Sequence, residues 1–154
     1  MAAFMLAASS AYSQKLNPFA KFGGNWTGIG DIYLSNGTKE RIRCRGGFTA
    51  ADEFNIVSLK VELRCAGDAY KFELVSELNY SGGAISGTWS ENSRGVNGSV
   101  SGKIDGDNIV ATAESQTFNA TLELMNQGDK QQVRITSPGS EMTNVLIGLN
   151  RSAK

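Results

Sequence analysis

Histidine is absent from this chain of 154 residues, which removes the commonest general base and the commonest metal ligand together. No Ser-His-Asp or Cys-His arrangement can be built from it. Cysteine is scarce too: there are two, Cys44 and Cys65, and neither sits in a Cys-x-x-Cys or Cys/His spacing. A zinc site or a thioredoxin-like motif is therefore not expected, and neither a metal nor a cofactor is called for. An excess of charge is also missing. Lys+Arg and Asp+Glu number 15 each, so no global field draws the chain to nucleic acid or to an anionic surface. Any electrostatic partner must be met by a local patch. Finally, there is no apolar run long enough to cross a bilayer, so an integral membrane protein is not expected.

What the chain does have is glycine, 18 residues against 2 prolines. With abundant Ser, Thr and Asn, that composition suits short strands and many turns better than helices or a disordered tail. The start differs from the rest. "MAAFMLAASSAYSQ" opens with a short apolar run, then small residues with a plausible cleavage site after Ala11 or Ser13. Residues 1–14 therefore read as a signal peptide, although the Lys/Arg of a normal n-region are missing and point to a start placed too late. The alternative is an ordinary N-terminal helix packed on the domain. Export predicts a periplasmic or secreted bacterial protein. The division that follows is a tail over 15–23, a barrel domain over 24–151 and a C-terminal tail over 152–154, with a monomer expected.

From Asn25 onward the hydrophobic period stays near two. "NWTGIGDIYL" ends at "SNGT", "KERIRCRGGF" at the polar "TAADE", and comparable segments continue to "TNVLIGLN", separated by Gly, Asn and Asp turns. Such a ladder means an antiparallel meander of about eight to ten strands, the range in which a sheet closes on itself. The fold class is all-β, with an up-and-down barrel first and a sandwich second. Cys44 and Cys65 share the apolar parity of their strands. If those strands pair as a hairpin, the sulfurs meet on one face and a disulfide is reasonable in an oxidising compartment; the alternative is two buried free thiols.

The inner parity carries Trp26, Phe72, Leu74, Trp89, Phe118 and Leu122, and it also carries glycines such as Gly28, Gly30 and Gly87. Glycine there permits strong coiling, and it also leaves room. One reading is a fully packed barrel. The other is a cavity for a small hydrophobic ligand, with Trp26, Phe72, Leu74, Gly87, Trp89, Phe118 and Leu122 as its lining.

"GNW", Gly24 to Trp26, resembles the Gly-x-Trp that opens the first strand of lipocalins and related calycin barrels. In that superfamily the tryptophan packs near a basic residue from the end of the last strand. The resemblance implies that Trp26 meets Arg151, which directly follows "VLIGLN", in a closing cation–π contact. The whole chain is also similar to small exported α-proteobacterial proteins of unknown function, through "ERIRCR", "LRCAGDAYKFEL" and "ISGTWSE". That likeness implies an exported home and brings no activity. Bacterial metalloprotease inhibitors, exported calycin-like barrels with one disulfide and a tail that enters the enzyme, are a precedent for "QKLNPFAKF" as a docking tail.

No catalytic residues are assigned. Glu73, Glu77, Glu91 and Glu123 alternate with apolar residues and read as a solvated outer face. "DGDN", Asp105 to Asn108, fits a hairpin turn better than a calcium loop. The remaining feature is a basic strand: Lys39, Arg41, Arg43 and Arg45 share one face, with Lys60 and Arg64 on the next strand. It is either a charged outer face that blunts edge pairing or a docking patch for an anionic partner. Such a partner would be lipopolysaccharide, an acidic glycan or another protein. Two functions stay open: a non-enzymatic barrel that binds a small hydrophobic molecule, and an interaction or inhibitor protein working through its basic face or tail.

Overall fold

A computed structural model describes residues 17–117 and 119–152 of the chain. The strands are β1 (Gly24–Leu34), β2 (Lys39–Glu53), β3 (Ile56–Ala66), β4 (Lys71–Ser81), β5 (Ala84–Glu91), β6 (Val96–Asp105), β7 (Asn108–Glu114), β8 (Asn119–Gln127), β9 (Lys130–Thr136) and β10 (Met142–Arg151). Each pairs antiparallel with the next, and β10 pairs with β1 to close a ten-stranded up-and-down barrel. The fold is all-β, and of the two architectures that the two-residue period allows it is the closed barrel and not the sandwich. The signal-peptide reading of residues 1–14 lies outside the described residues.

Alternation is strict where it matters. On β2 and β3 every second residue is buried, from Ile42 through Phe48 and from Leu59 through Cys65. The residues between them are charged or small and face solvent. An apolar interior and a charged exterior are the reverse of a membrane-spanning barrel. Among the described residues no helix is long and apolar enough to cross a membrane.

β2 runs to Glu53, through the whole of the "TAADE" where the sequence suggests a break. Asp52 and Glu53 extend the ladder, and the chain reverses at Phe54 and Asn55, both with positive φ (53° and 63°). That pair makes a tight turn whose handedness matches the strand twist. Register then sets Cys44 directly opposite Cys65, and the two form a disulfide. "DGDN" is a hairpin turn, with Asp105 opposite Asn108.

The inner glycines coil the sheet. At Gly87 a Cβ would overlap the carbonyl oxygen of Glu77 on the neighbouring strand, so only glycine lets β4 and β5 approach there. Of the two readings of the inner glycines, coiling and room, the close approach at Gly87 favours coiling.

One end of the barrel is plugged. Residues 17–23, read from sequence as part of a tail, fold across it with a single 3-10 turn at Ala20–Phe22. Phe19 and Phe22 are completely buried there, so this segment is core and cannot extend into a partner. The Asn17 amide donates to the Ala51 carbonyl (3.0 Å), and the Asn126 amide donates to that of Lys21 (3.0 Å). These bonds fasten the turn to β2 and to β8.

Candidate functional site

The plugged end is built around Trp26. Its indole N–H donates to the Phe22 carbonyl (3.0 Å), and its ring packs against Phe48 at 6.5 Å between centroids. The β1–β10 register sets Trp26 opposite Arg151, whose guanidinium carbon lies 4.3 Å from the indole centroid. The same guanidinium donates to the carbonyls of Gly23 and Lys21 and to the Asp129 carboxylate (3.0 Å). It thereby holds the plug, the first strand and the β8–β9 turn together. Gly24 is glycine for a local reason. Its φ is +129°, and a Cβ would strike the Arg151 guanidinium. Trp26, one of the residues expected to line a cavity, thus packs at the plugged end, where its bulk fills the interior.

At the opposite end the interior is hollow. A cavity of about 340 Å³ lies between β4 and β10, lined by Phe72, Leu74, Trp89, Val100, Leu122 and Val145. Its cause is visible in one lateral row. Val100, Ala113 and Ala120 face each other across β6, β7 and β8, and Ser76 stands beside Trp89 on the neighbouring strands. Small side chains occupy levels where the plugged end has phenylalanine and tryptophan. Of the residues expected to line a cavity, Phe72, Leu74, Trp89 and Leu122 are brought together, and Phe118 lies outside the described residues.

Polar groups on this wall are already engaged. The Ser76 hydroxyl donates to the Thr88 carbonyl (2.9 Å), and the Trp89 indole N–H donates to that of Glu114 (3.3 Å). Glu91, read from sequence as an outward carboxylate, has the parity of Trp89 and turns toward the mouth. It accepts from the backbone amides of Glu73 (3.0 Å) and Arg94 (2.8 Å) and pairs with the Arg94 side chain (3.4 Å). Arg94 also donates to the Lys71 carbonyl (3.2 Å). Across the rim, the Tyr70 phenol donates to Glu141 (2.8 Å), and Glu40 accepts from the amides of Ala69 and Tyr70. The hydrogen bond to Glu141 raises the Tyr70 pKa above its usual 10.0; burial and the nearby negative charges of Glu141 and Glu40 act the same way, with Arg94 opposing.

The expected basic patch divides in two. Arg41 is paired with Asp31 (3.0 Å) and Lys60 with Glu62 (3.3 Å), whereas Lys39, Arg43, Arg45 and Arg64 have no ion pair among the described residues. Sequence reasoning does not find Phe19 and Phe22, which form the plug, or Arg94 and Met142, which line the cavity mouth. The parity of Arg94 gives no signal, because it sits in the β5–β6 turn.

No protein-family model matches the chain, and no curated protein does. Solved structures do. The crystal structure of Rv2717c from M. tuberculosis superposes with a TM-score of 0.67 at 14% identity, covering 90% of this chain and 97% of that one. The S-type phycobiliprotein lyase CPES from Guillardia theta gives 0.63 at 12% identity, covering 88% and 91%. The barrel is shared; the sequence is not. At these identities the likeness shows a shared barrel fold, consistent with a lipocalin-like one, along nearly the whole length of both neighbours.

Proposed function

We propose that this protein is a non-enzymatic binding barrel that holds a small hydrophobic molecule in the open half of its interior. The observation that carries this reading is the cavity itself. Its volume of about 340 Å³ falls within the roughly 300–1,000 Å³ usual for small-molecule sites, and its wall is almost wholly apolar. Among the described residues its depth offers no free hydrogen-bonding side chain for a polar ligand, since Ser76 and Trp89 are bonded to the backbone. The mouth carboxylates Glu91 and Glu141 are likewise engaged in holding turns and in the tie to Tyr70, which argues for binding over acid–base chemistry. That a lipocalin-like neighbour is a phycobiliprotein lyase adds a precedent for a barrel of this shape working on something other than its own core. The Cys44–Cys65 disulfide supports an oxidising compartment, and we place the mature protein in the periplasm or outside the cell, as a monomer.

Uptake of N-phenyl-1-naphthylamine tests the site. The probe should saturate at one equivalent and accept energy from Trp89, and Trp26→Phe should leave that transfer intact. Ala120→Phe projects a ring into the void and should abolish uptake while the far-UV spectrum is unchanged. A wild-type protein that takes up no lipophilic probe, or a folded Ala120→Phe variant that binds as before, would end the carrier reading.

A further inference from the structure

We infer that the outer face of β2 and β3 is a docking surface for anionic phospholipid bilayers and that it sets the cavity mouth beside the membrane. Arg43, Arg45, Arg64 and Lys71 are exposed and have no carboxylate within ion-pair distance among the described residues. Six other cations, among them Arg41, Lys60 and Arg134, each have one. The register even places Arg45 directly opposite Arg64, a like-charge pair that disfavours the fold. Among the described residues neither arginine of that pair has an ion-pair partner. Two acids stand within the patch: Glu62, on the same face of β3 as Arg64, is paired with Lys60 (3.3 Å), and Glu73 stands across the ladder from Arg64 without an ion pair to it.

Two further features point to a bilayer instead of a purely polar anion. Ile29, 53% exposed, lies directly opposite Arg43. Its other neighbour across the ladder is Gly148, which offers no side chain to cover it, and Leu146 lies two residues along the same strand at 36% exposure. Unpaired guanidiniums beside bare aliphatic carbon match phosphate headgroups above an apolar layer. The patch is also rigid, because the Cys44–Cys65 disulfide sits beneath it, between Arg43 and Arg45 on one strand and next to Arg64 on the other.

The patch adjoins the cavity. The Lys71 carbonyl accepts from Arg94 at the mouth, and the next residue, Phe72, is part of the cavity wall. A ligand with little solubility in water must be loaded from an apolar phase, and this arrangement would bring that phase to the opening. That last step rests on the proposed function; the docking does not.

Vesicle flotation of the full chain, without added ligand, tests the docking. Vesicles of phosphatidylglycerol with phosphatidylcholine should carry the protein at low salt and release it as salt rises, and phosphatidylcholine alone should not. The variant Arg43→Ser/Arg45→Ser/Arg64→Ser should lose about a hundredfold in partitioning. Ile29→Ser should lose less, and Lys103→Ser/Lys130→Ser, on other strands, should lose little. Inorganic phosphate should release no more protein than chloride at equal ionic strength; selective release by phosphate would mean a free-phosphate site and overturn the inference. So would equal binding to both vesicle types, undiminished binding of the triple variant, or binding to an acidic protein but not to vesicles. Naphthylamine uptake from solution should be unchanged in the triple variant, which also shows that it folds. Loss of uptake in wild-type protein that still floats with vesicles would strike the carrier reading alone.

Discussion

The two ends of this barrel share strands, pleat and alternation, yet one is solid and the other hollow. At the plugged end Phe19, Phe22, Trp26 and Phe48 fill the interior, and Arg151 ties the plug to the β8–β9 turn across the Trp26 ring. At the open end the same inward positions hold Ser76, Ala113 and Ala120. About eight strands already give a bore that side chains can just fill, so ten strands need extra material or remain empty. Here the extra material is the segment before β1, and it serves one end only. The difference teaches that, among the described residues, the cavity arises from side-chain size at one level of the barrel and the absence of a plug there, with the glycines serving to coil the wall.

The sharpest way to test that division is to truncate a large side chain at each end. Trp26→Ala should cost about 3–5 kcal/mol, because the indole is fully enclosed and its loss leaves a void that the plug cannot collapse into. Leu122→Ala at the open end should cost about 2 kcal/mol, near the lower limit for a buried leucine, since one side of it already faces empty space. Urea unfolding of both variants checks this. Equal losses would mean that the open end is packed in solution.

The disulfide joins strands on the wall between the ends. Cys44→Ala/Cys65→Ala releases a loop spanning 21 residues and should cost about 3 kcal/mol, chiefly through the unfolded chain. Probe uptake should survive the change, because neither cysteine lines the cavity. A loss of uptake at full folding would show that the β2–β3 wall helps shape the mouth.

Much of this was legible from period two alone. Alternation from Trp26 to Leu149 reports the strands, the parity reports which side faces in, and the shared parity of Cys44 and Cys65 allows their bridge. Parity cannot report height along the barrel. Trp26 and Trp89 both point inward, yet they lie at opposite ends, and only the register separates plug from pocket. Glycine was ambiguous for a similar reason: Gly87 and Ala120 both leave an inner position small, but the first is forced by a neighbouring carbonyl and the second borders open space. The plug was missed because "NPFAKF" has no strand period and its burial depends on a hole made by residues far away in sequence. The rim was missed because Arg94 and Glu141 sit in or beside turns, where no alternation predicts direction.

A smaller effect probes how the plug is held. Arg151→Ala should cost about 1 kcal/mol, because the side chain is partly exposed and its hydrogen bonds can be replaced by water in part. In combination with Trp26→Ala the cost should fall short of the sum by about 0.5 kcal/mol or more, since the two groups touch. Additivity in that cycle would show that the arginine serves the backbone carbonyls and not the indole.

The least costly change concerns the open rim, where a single hydrogen bond joins the β3–β4 turn to the β9–β10 turn. Tyr70 donates it, so only the neutral phenol can make it, and the Glu141 carboxylate that accepts it raises the phenol's pKa above 10.0. A raised pKa in the folded state means that the tie's contribution is fully present below the unfolded value. It is lost as the pH climbs through the folded one, above about 10. Ionisation would then set a phenolate beside Glu141 and Glu40, and the two turns should part. Ultraviolet titration of the folded protein should show a late phenol component above pH 10.0, and Tyr70→Phe should remove that late component while leaving the plugged end, read from Trp26 fluorescence, unaltered. If the late component persists in Tyr70→Phe, another tyrosine is the one held back, and the rim is open at neutral pH as well.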